Sequence, residues 1–171
     1  MVLTLNPQQG GMGCDMSLWK EPPREKVFEA LTAVADERVK ILAGGKADVV
    51  SSDGSRTYTV EWSEDERSMA SNDNASYWQG YLGYPILAVL MARGRLAFDR
   101  DIARWLSKIE WHRLNQEFGR KYDKAVESVL VELTMKGIPG DVLNREVDRI
   151  MEQVKAMRIE RAKSSARPPK S

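Results

Sequence analysis

The chain holds one cysteine, Cys14, and one histidine, His112, in 171 residues. An internal disulfide needs two thiols, and a structural zinc tetrahedron needs a set of Cys and His ligands. Neither can form within one chain of this composition. A Cys/His or Ser/His catalytic pair would have to run through that single imidazole. A charge of one sign is also missing: 26 basic and 25 acidic side chains leave a formal net charge of +1. Attraction to a polyanion therefore cannot be argued from the whole chain and needs a local patch. Long hydrophobic runs are absent as well. The longest, Ile86 to Ala92, has seven residues, against about 20 for a membrane-spanning helix. The first residues have neither the basic start nor the apolar stretch of a signal peptide.

What is present is 42% hydrophobic and 30% charged residues, the composition of a folded globular protein of one domain or two small ones. A cytoplasmic protein with no cofactor and no membrane partner is expected. Residues 1–15, with Asn6-Pro7-Gln8-Gln9-Gly10-Gly11, read as a mobile leader, and Met16 as an alternative start. Cys14 falls in that leader and reads as an incidental thiol. The glycines at 10, 11 and 13 follow no strand and lack the lysine and hydroxyl of a phosphate loop.

Regular patterning begins after Pro22-Pro23, which suit the first turn of a helix. Val27, Leu31 and Val34 recur at helical spacing, with Arg24, Glu25, Glu29 and Glu37 assigned to other faces. Strands are predicted over 38–42, 46–51 and 56–62, with a short further strand over 68–71. Asp53-Gly54 between two β-rich runs is a hairpin signal, because a tight primed turn needs positive φ. Pro85 opens a predicted helix over 86–93, closed by Gly94. Three more helices follow. One is capped by Asp99 and runs to about Phe118. One carries Tyr122, Val126, Val129 and Leu133. The last is capped by Asp141 and carries Leu143, Val147, Ile150, Val154 and Met157. The final two read as an antiparallel hairpin on the domain, or as an interface with a second copy. The expectation is an α+β fold: a leader (1–15), an α+β domain (16–98), a helical segment (99–163) and a basic disordered tail (164–171).

Within residues 47–94 the order is a β-hairpin, the segment Met69-Ala70-Ser71-Asn72-Asp73, an aromatic loop, and Gly83-Tyr84-Pro85-Ile86-Leu87-Ala88-Val89 opening a helix. This order resembles the SWIM-type zinc-finger family. The resemblance implies a loop clipped to a helix start by zinc, and an adaptor role in DNA binding or protein contacts. The family's ligand positions fall on Met69, Ser71, Gly83 and Pro85, so the resemblance is to a metal-free relative. Tyr77, Trp78, Tyr81 and Tyr84 lie where the ion would sit, and an aromatic plug is the expected substitute.

Those four aromatics also form a candidate interaction surface, for a protein partner or for stacking with single-stranded nucleic acid. Basic residues are missing between Asn72 and Ala92, which favours the protein partner. From residue 155 onward, Lys155, Arg158, Arg161, Lys163, Arg167 and Lys170 stand against Glu160 alone, a balance of +5 that leaves −4 for residues 1–154. These six are candidate phosphate contacts. The leading expectation is a non-enzymatic interaction or adaptor module that assists a nucleic-acid-handling complex. Two alternatives stay open. One is a small enzyme using Asp73, Asn74 and His112; the other is a structural homodimer through the C-terminal helical hairpin.

Overall fold

The computed structural model describes residues 17–170. The leader with Cys14, the start at Met16 and the terminal Ser171 lie outside the described residues. The architecture is α+β: an N-terminal helix, a five-stranded mostly antiparallel sheet, and then several helices. Helix α1 spans Glu25–Ala35, and strands β1 Val39–Leu42, β2 Lys46–Val50, β3 Thr57–Trp62 and β4 Ser68–Ser71 follow as a meander. A π-helical turn, Ala75–Gln79, leads into α2, Tyr84–Ala92. Then come α3 Arg100–Arg104, α4 Trp111–Glu117, α5 Tyr122–Met135, α6 Gly140–Ala156, and a two-residue strand β5, Glu160–Arg161. β5 returns to pair in parallel with β4, Ser68 opposite Glu160.

Helix α2 explains the layering. Pro85 to Met91 carry no polar side chain and every one of them is buried, which is the signature of a helix enclosed on all sides. It lies between the sheet and α1, while α1 also meets α3, α5 and α6. Burying one leucine such as Leu87 contributes about 1.5–3 kcal/mol. One apolar cluster joins Trp19, Phe28 and Val60 to Leu106, Val129, Leu143 and Ile159. Residues on both sides of position 99 therefore share it.

The β2–β3 hairpin forms where Asp53-Gly54 signals it, but as a longer loop than a two-residue primed turn. Only Gly54 there has positive φ (72°). Asp53 Oδ1 closes the loop by accepting from Ser51 Oγ (2.7 Å), Ser55 N (3.0 Å) and Ser55 Oγ (2.8 Å). Tyr58, Val60 and Trp62 share the core-facing side, as the alternation predicts.

Four expectations need correction. The helix expected from Asp99 to Phe118 is two helices. Asp99 does cap α3, accepting from the backbone N–H of Asp101 and Ile102. Asp36, just past α1, then accepts from Ser107 Oγ (2.6 Å) and Lys108 N (2.9 Å), and Lys108 turns into the left-handed region at φ 63°. The cap of α6 is Pro139 rather than Asp141, which falls in the first turn. Glu29, assigned to an outer face of α1, is 6% exposed because α1 is surrounded. Finally, residues 165–167 of the basic tail are held against the sheet. Ser165 donates through N (2.8 Å) and Oγ (2.6 Å) to Glu61, and Asn72 Nδ2 donates to the Arg167 carbonyl (3.0 Å). Ala70 pairs with Glu61 on the face away from α2, yet is only 2% exposed.

Candidate functional site: a donor-rich cleft

The loop after β4 is fastened to the start of α2 by hydrogen bonds. Ser71 Oγ donates to Asp73 Oδ2 (2.6 Å), Ser76 N donates to Asp73 Oδ1 (3.0 Å), and Gly83 N donates to Ser76 Oγ (3.0 Å). The four positions aligned with SWIM ligands do not fit zinc. The Met69 side chain is buried in the core, the Ser71 hydroxyl is committed to Asp73, and Gly83 and Pro85 offer no side-chain donor atom. Among the described residues, no cluster of three or more His, Cys, Asp or Glu side chains could hold a metal ion. Nor does the aromatic plug form. Trp78 is 69% exposed and meets the Tyr77 ring edge-on at 4.7 Å.

Trp78, Tyr81 and Tyr84 instead border a cleft of about 750 Å³, within the size range of small-molecule sites. Its walls come from six separate stretches: α1, the turn after it, the hairpin loop and β3, the loop after β4 with the π-helical turn and the start of α2, α4, and the α4–α5 connection with the start of α5. Asp73, Asn74 and His112, the candidate enzyme residues, all lie on these walls. No hydrogen bond among the described residues joins them. Asp73 is occupied by Ser71 and Ser76. His112 Nε2 lies 3.2 Å from Gln116 Nε2 and 3.8 Å from Asp53 Oδ2.

The positive charges come from residues that carry no local motif. Lys26, Arg38, Arg56 and Arg120 face two carboxylates, Glu29 and Asp73. Lys26 and Glu29 form a buried pair at 3.0 Å with side-chain exposures of 8% and 7%. Burial alone pulls the Lys26 ammonium down, but the Glu29 carboxylate outweighs it and the net shift is upward. Glu29 accepts from Asn115 Nδ2 as well (3.3 Å). Both carboxylates of the cleft are therefore already partnered. Among the described residues, neither Arg56 nor Arg120 has an acidic side chain within ion-pair distance, and Arg38 spends Nη1 on the Val50 carbonyl (2.5 Å).

Tyrosines complete the lining. The rings of Tyr58 and Tyr84 meet edge-to-face at 6.1 Å. Burial pushes the Tyr84 hydroxyl well above its ordinary value. Burial also raises Tyr58, although neighbouring Arg56 pulls it back in part, and it raises Tyr81 against the pull of Lys26. All three phenols stay protonated at neutral pH and can donate.

The six basic residues of the C-terminal segment lie elsewhere. Lys155 is paired with Glu152 (3.0 Å) and Glu21 (3.9 Å). Arg161 donates to the Tyr77 carbonyl (3.2 Å) and stacks over Trp19 at 5.1 Å. Arg158, Lys163, Arg167 and Lys170 are exposed. The cleft was hidden from sequence reasoning because its cations come from positions 26, 38, 56 and 120, with no local motif. The available signal was the Lys26-x-x-Glu29 pair inside a helical segment that is mostly apolar from Val27 to Ala35.

No helix among the described residues is long and apolar enough to cross a membrane. No curated protein and no solved structure matches the chain, and no SWIM domain is identified in it. A family model described as uncharacterised conserved protein UCP014422 matches residues 19–160, and the chain belongs to that family.

Proposed function

We propose that the protein is a binding module whose cleft takes a small ligand bearing an oxyanion on a planar ring, of the nucleotide type. The observation that carries this reading is the imbalance of free hydrogen-bonding groups. The cleft's carboxylates are consumed internally and Arg38 is held by Asp36 and the Val50 carbonyl, while the guanidinium groups of Arg56 and Arg120 and the phenols of Tyr58, Tyr81 and Tyr84 remain to donate. A donor-rich pocket selects an acceptor-rich ligand, and arginine binds phosphate or carboxylate with two parallel bonds. Trp78 and Tyr81 offer ring faces for stacking at the same cleft. The basic residues absent between 72 and 92 are thus supplied by α1, the α1–β1 turn, the β2–β3 loop and the α4–α5 connection.

The commitment of Asp73 to Ser71 and Ser76 supports binding over acid–base turnover. The likeness to SWIM-type domains belongs to this proposal too, supported by the hairpin–strand–loop–helix order, with hydrogen bonds in place of the metal. An adaptor role in a nucleic-acid-handling complex follows if the ligand is the end of a single strand. Calorimetric titration with adenosine 5′-monophosphate, adenosine, inorganic phosphate and a short single-stranded oligonucleotide tests the reading. The mononucleotide should bind more tightly than either of its parts. Tighter binding of the oligonucleotide would place the site on nucleic acid, and absence of saturable binding by any of the four would overturn the proposal.

A further inference from the structure

A second concavity, open and about 760 Å³ in volume, lies between α1, α5 and α6. Its apolar surface comes from Val126, Leu130, Val131, Met135 and Pro139, over the buried Phe28. Val131 and Met135 are one helical turn apart on α5 and are 56% and 83% exposed. A valine and a methionine left this open on one turn of α5 give the groove an apolar lip for a partner to cover. Methionine suits such a face because its unbranched, polarisable side chain adapts to different partners.

The rim identifies the occupant. Glu25, Asp123, Glu127 and Asp141 border the groove. The one bordering cation among the described residues, Arg24, is committed to Asp148 and to the Asn144 side chain (2.8 Å) and carbonyl (3.1 Å). Glu127 and Asp141 are paired within their own helices with Lys124 and Arg145, so the rim's negative charge rests on Glu25 and Asp123, which have no ion pair among the described residues. An apolar floor inside an acidic rim fits a helix with one apolar face and lysine or arginine along its flanks. The stretch of α5 from Asp123 to Met135 is about 18 Å long at 1.5 Å per residue, room for three to four turns.

We propose that this groove docks a basic amphipathic helix of another protein. A second copy of the chain is a poorer occupant, because a two-fold contact would set the same acidic rim against itself. An anionic membrane is poorer for the same electrostatic reason. The basic C-terminal segment of this chain is held on the sheet by Glu61 and Asn72 instead.

The test uses the full chain and a labelled 18-residue helix of leucine and lysine. The comparison peptides are a leucine–glutamate helix of the same pattern and a lysine-matched scramble with no apolar face. Anisotropy should show saturable one-to-one binding of the leucine–lysine helix and at least tenfold weaker binding of the other two. Val131→Asp and Met135→Asp should each weaken it at least tenfold although they add negative charge. Their melting temperatures should stay unchanged, since both side chains are exposed. Arg56→Ala, in the cleft, should bind the helix like the parent. Equal binding of the scramble, no binding, or indifference to Met135→Asp overturns the proposal. So does a doubled mass in light scattering that Val131→Asp abolishes, or binding to phosphatidylserine vesicles that it abolishes. Those outcomes assign the face to a second copy or to a membrane.

Discussion

A Cβ placed on Gly83 would lie 2.4 Å from Asp73 Oδ1 and 2.6 Å from Ser76 Oγ. The φ of Gly83 is −69°, so the glycine is required by space and not by backbone conformation. The start of α2 and the loop after β4 approach so closely because Asp73 and Ser76 knit them together. Gly83→Ala should therefore destabilise the fold by about 1–3 kcal/mol, the cost of overpacking a filled site. Urea denaturation checks this. A midpoint equal to the parent's would show that the loop moves aside freely and that the clip does not hold it.

The Lys26–Glu29 pair is buried on α1, where one charge without the other is costly. Lys26→Met should destabilise by about 3–5 kcal/mol, because it strands the Glu29 carboxylate. The double variant Lys26→Met/Glu29→Gln should recover most of that loss. A double-mutant cycle by chemical denaturation reads the coupling, and additive losses would contradict it.

Asp53 is held below the usual carboxylate range, first by the Ser51 hydroxyl and then by Ser55, with burial opposing. A carboxylate depressed in the folded state contributes stability that is complete above its unfolded value, about 4. That stability is lost as pH falls toward the folded value. Asp53→Asn should therefore be less stable than the parent at pH 7, and its stability should fall less steeply between about pH 5 and pH 2. Parallel stability–pH curves for the two proteins would contradict the role given to this side chain.

Deleting residues 162–171 removes the bonds from Ser165 to Glu61 and from Asn72 to the Arg167 carbonyl. It should also speed amide exchange at Thr59, whose N–H is held by Asn72 Oδ1 at 2.8 Å. A loss of about 1 kcal/mol is expected for hydrogen bonds at an exposed edge. Unchanged exchange at Thr59 would show that the segment is not held on the sheet.

Local chemistry was legible in the sequence, and long-range contacts were not. Asp53-Gly54 marks the hairpin because its loop is closed within six residues, from Ser51 to Arg56. The stripes on α5 and α6 are visible because each helix has one buried face, with Val126, Val129 and Leu133 on one and Leu143, Val147 and Ile150 on the other. The break at Lys108 depends on Asp36, 72 positions away, and no local pattern records it. The docked tail depends on Glu61 and Asn72 in the same way. Asp73, Asn74, Trp78, Tyr81, Tyr84 and His112 were each singled out from local context, but the cleft they share appears only when Lys26, Arg38, Arg56 and Arg120 are brought beside them. The hairpin–strand–loop–helix order is likewise visible locally, whereas the Ser71–Asp73–Ser76–Gly83 clip is a matter of geometry.

The most direct measurement is calorimetric titration of adenosine 5′-monophosphate into the parent protein and into Arg56→Ala/Arg120→Ala. Both arginines lie at the cleft, and among the described residues neither has an ion pair whose loss would unsettle the fold. A charge-assisted hydrogen bond contributes about 1.5–3 kcal/mol, or roughly a tenfold change in affinity or more. Saturable one-to-one binding to the parent, weakened by salt, and at least tenfold weaker binding to the double variant are expected. Equal affinity in the two proteins, or no saturable binding to the parent, would contradict the proposal.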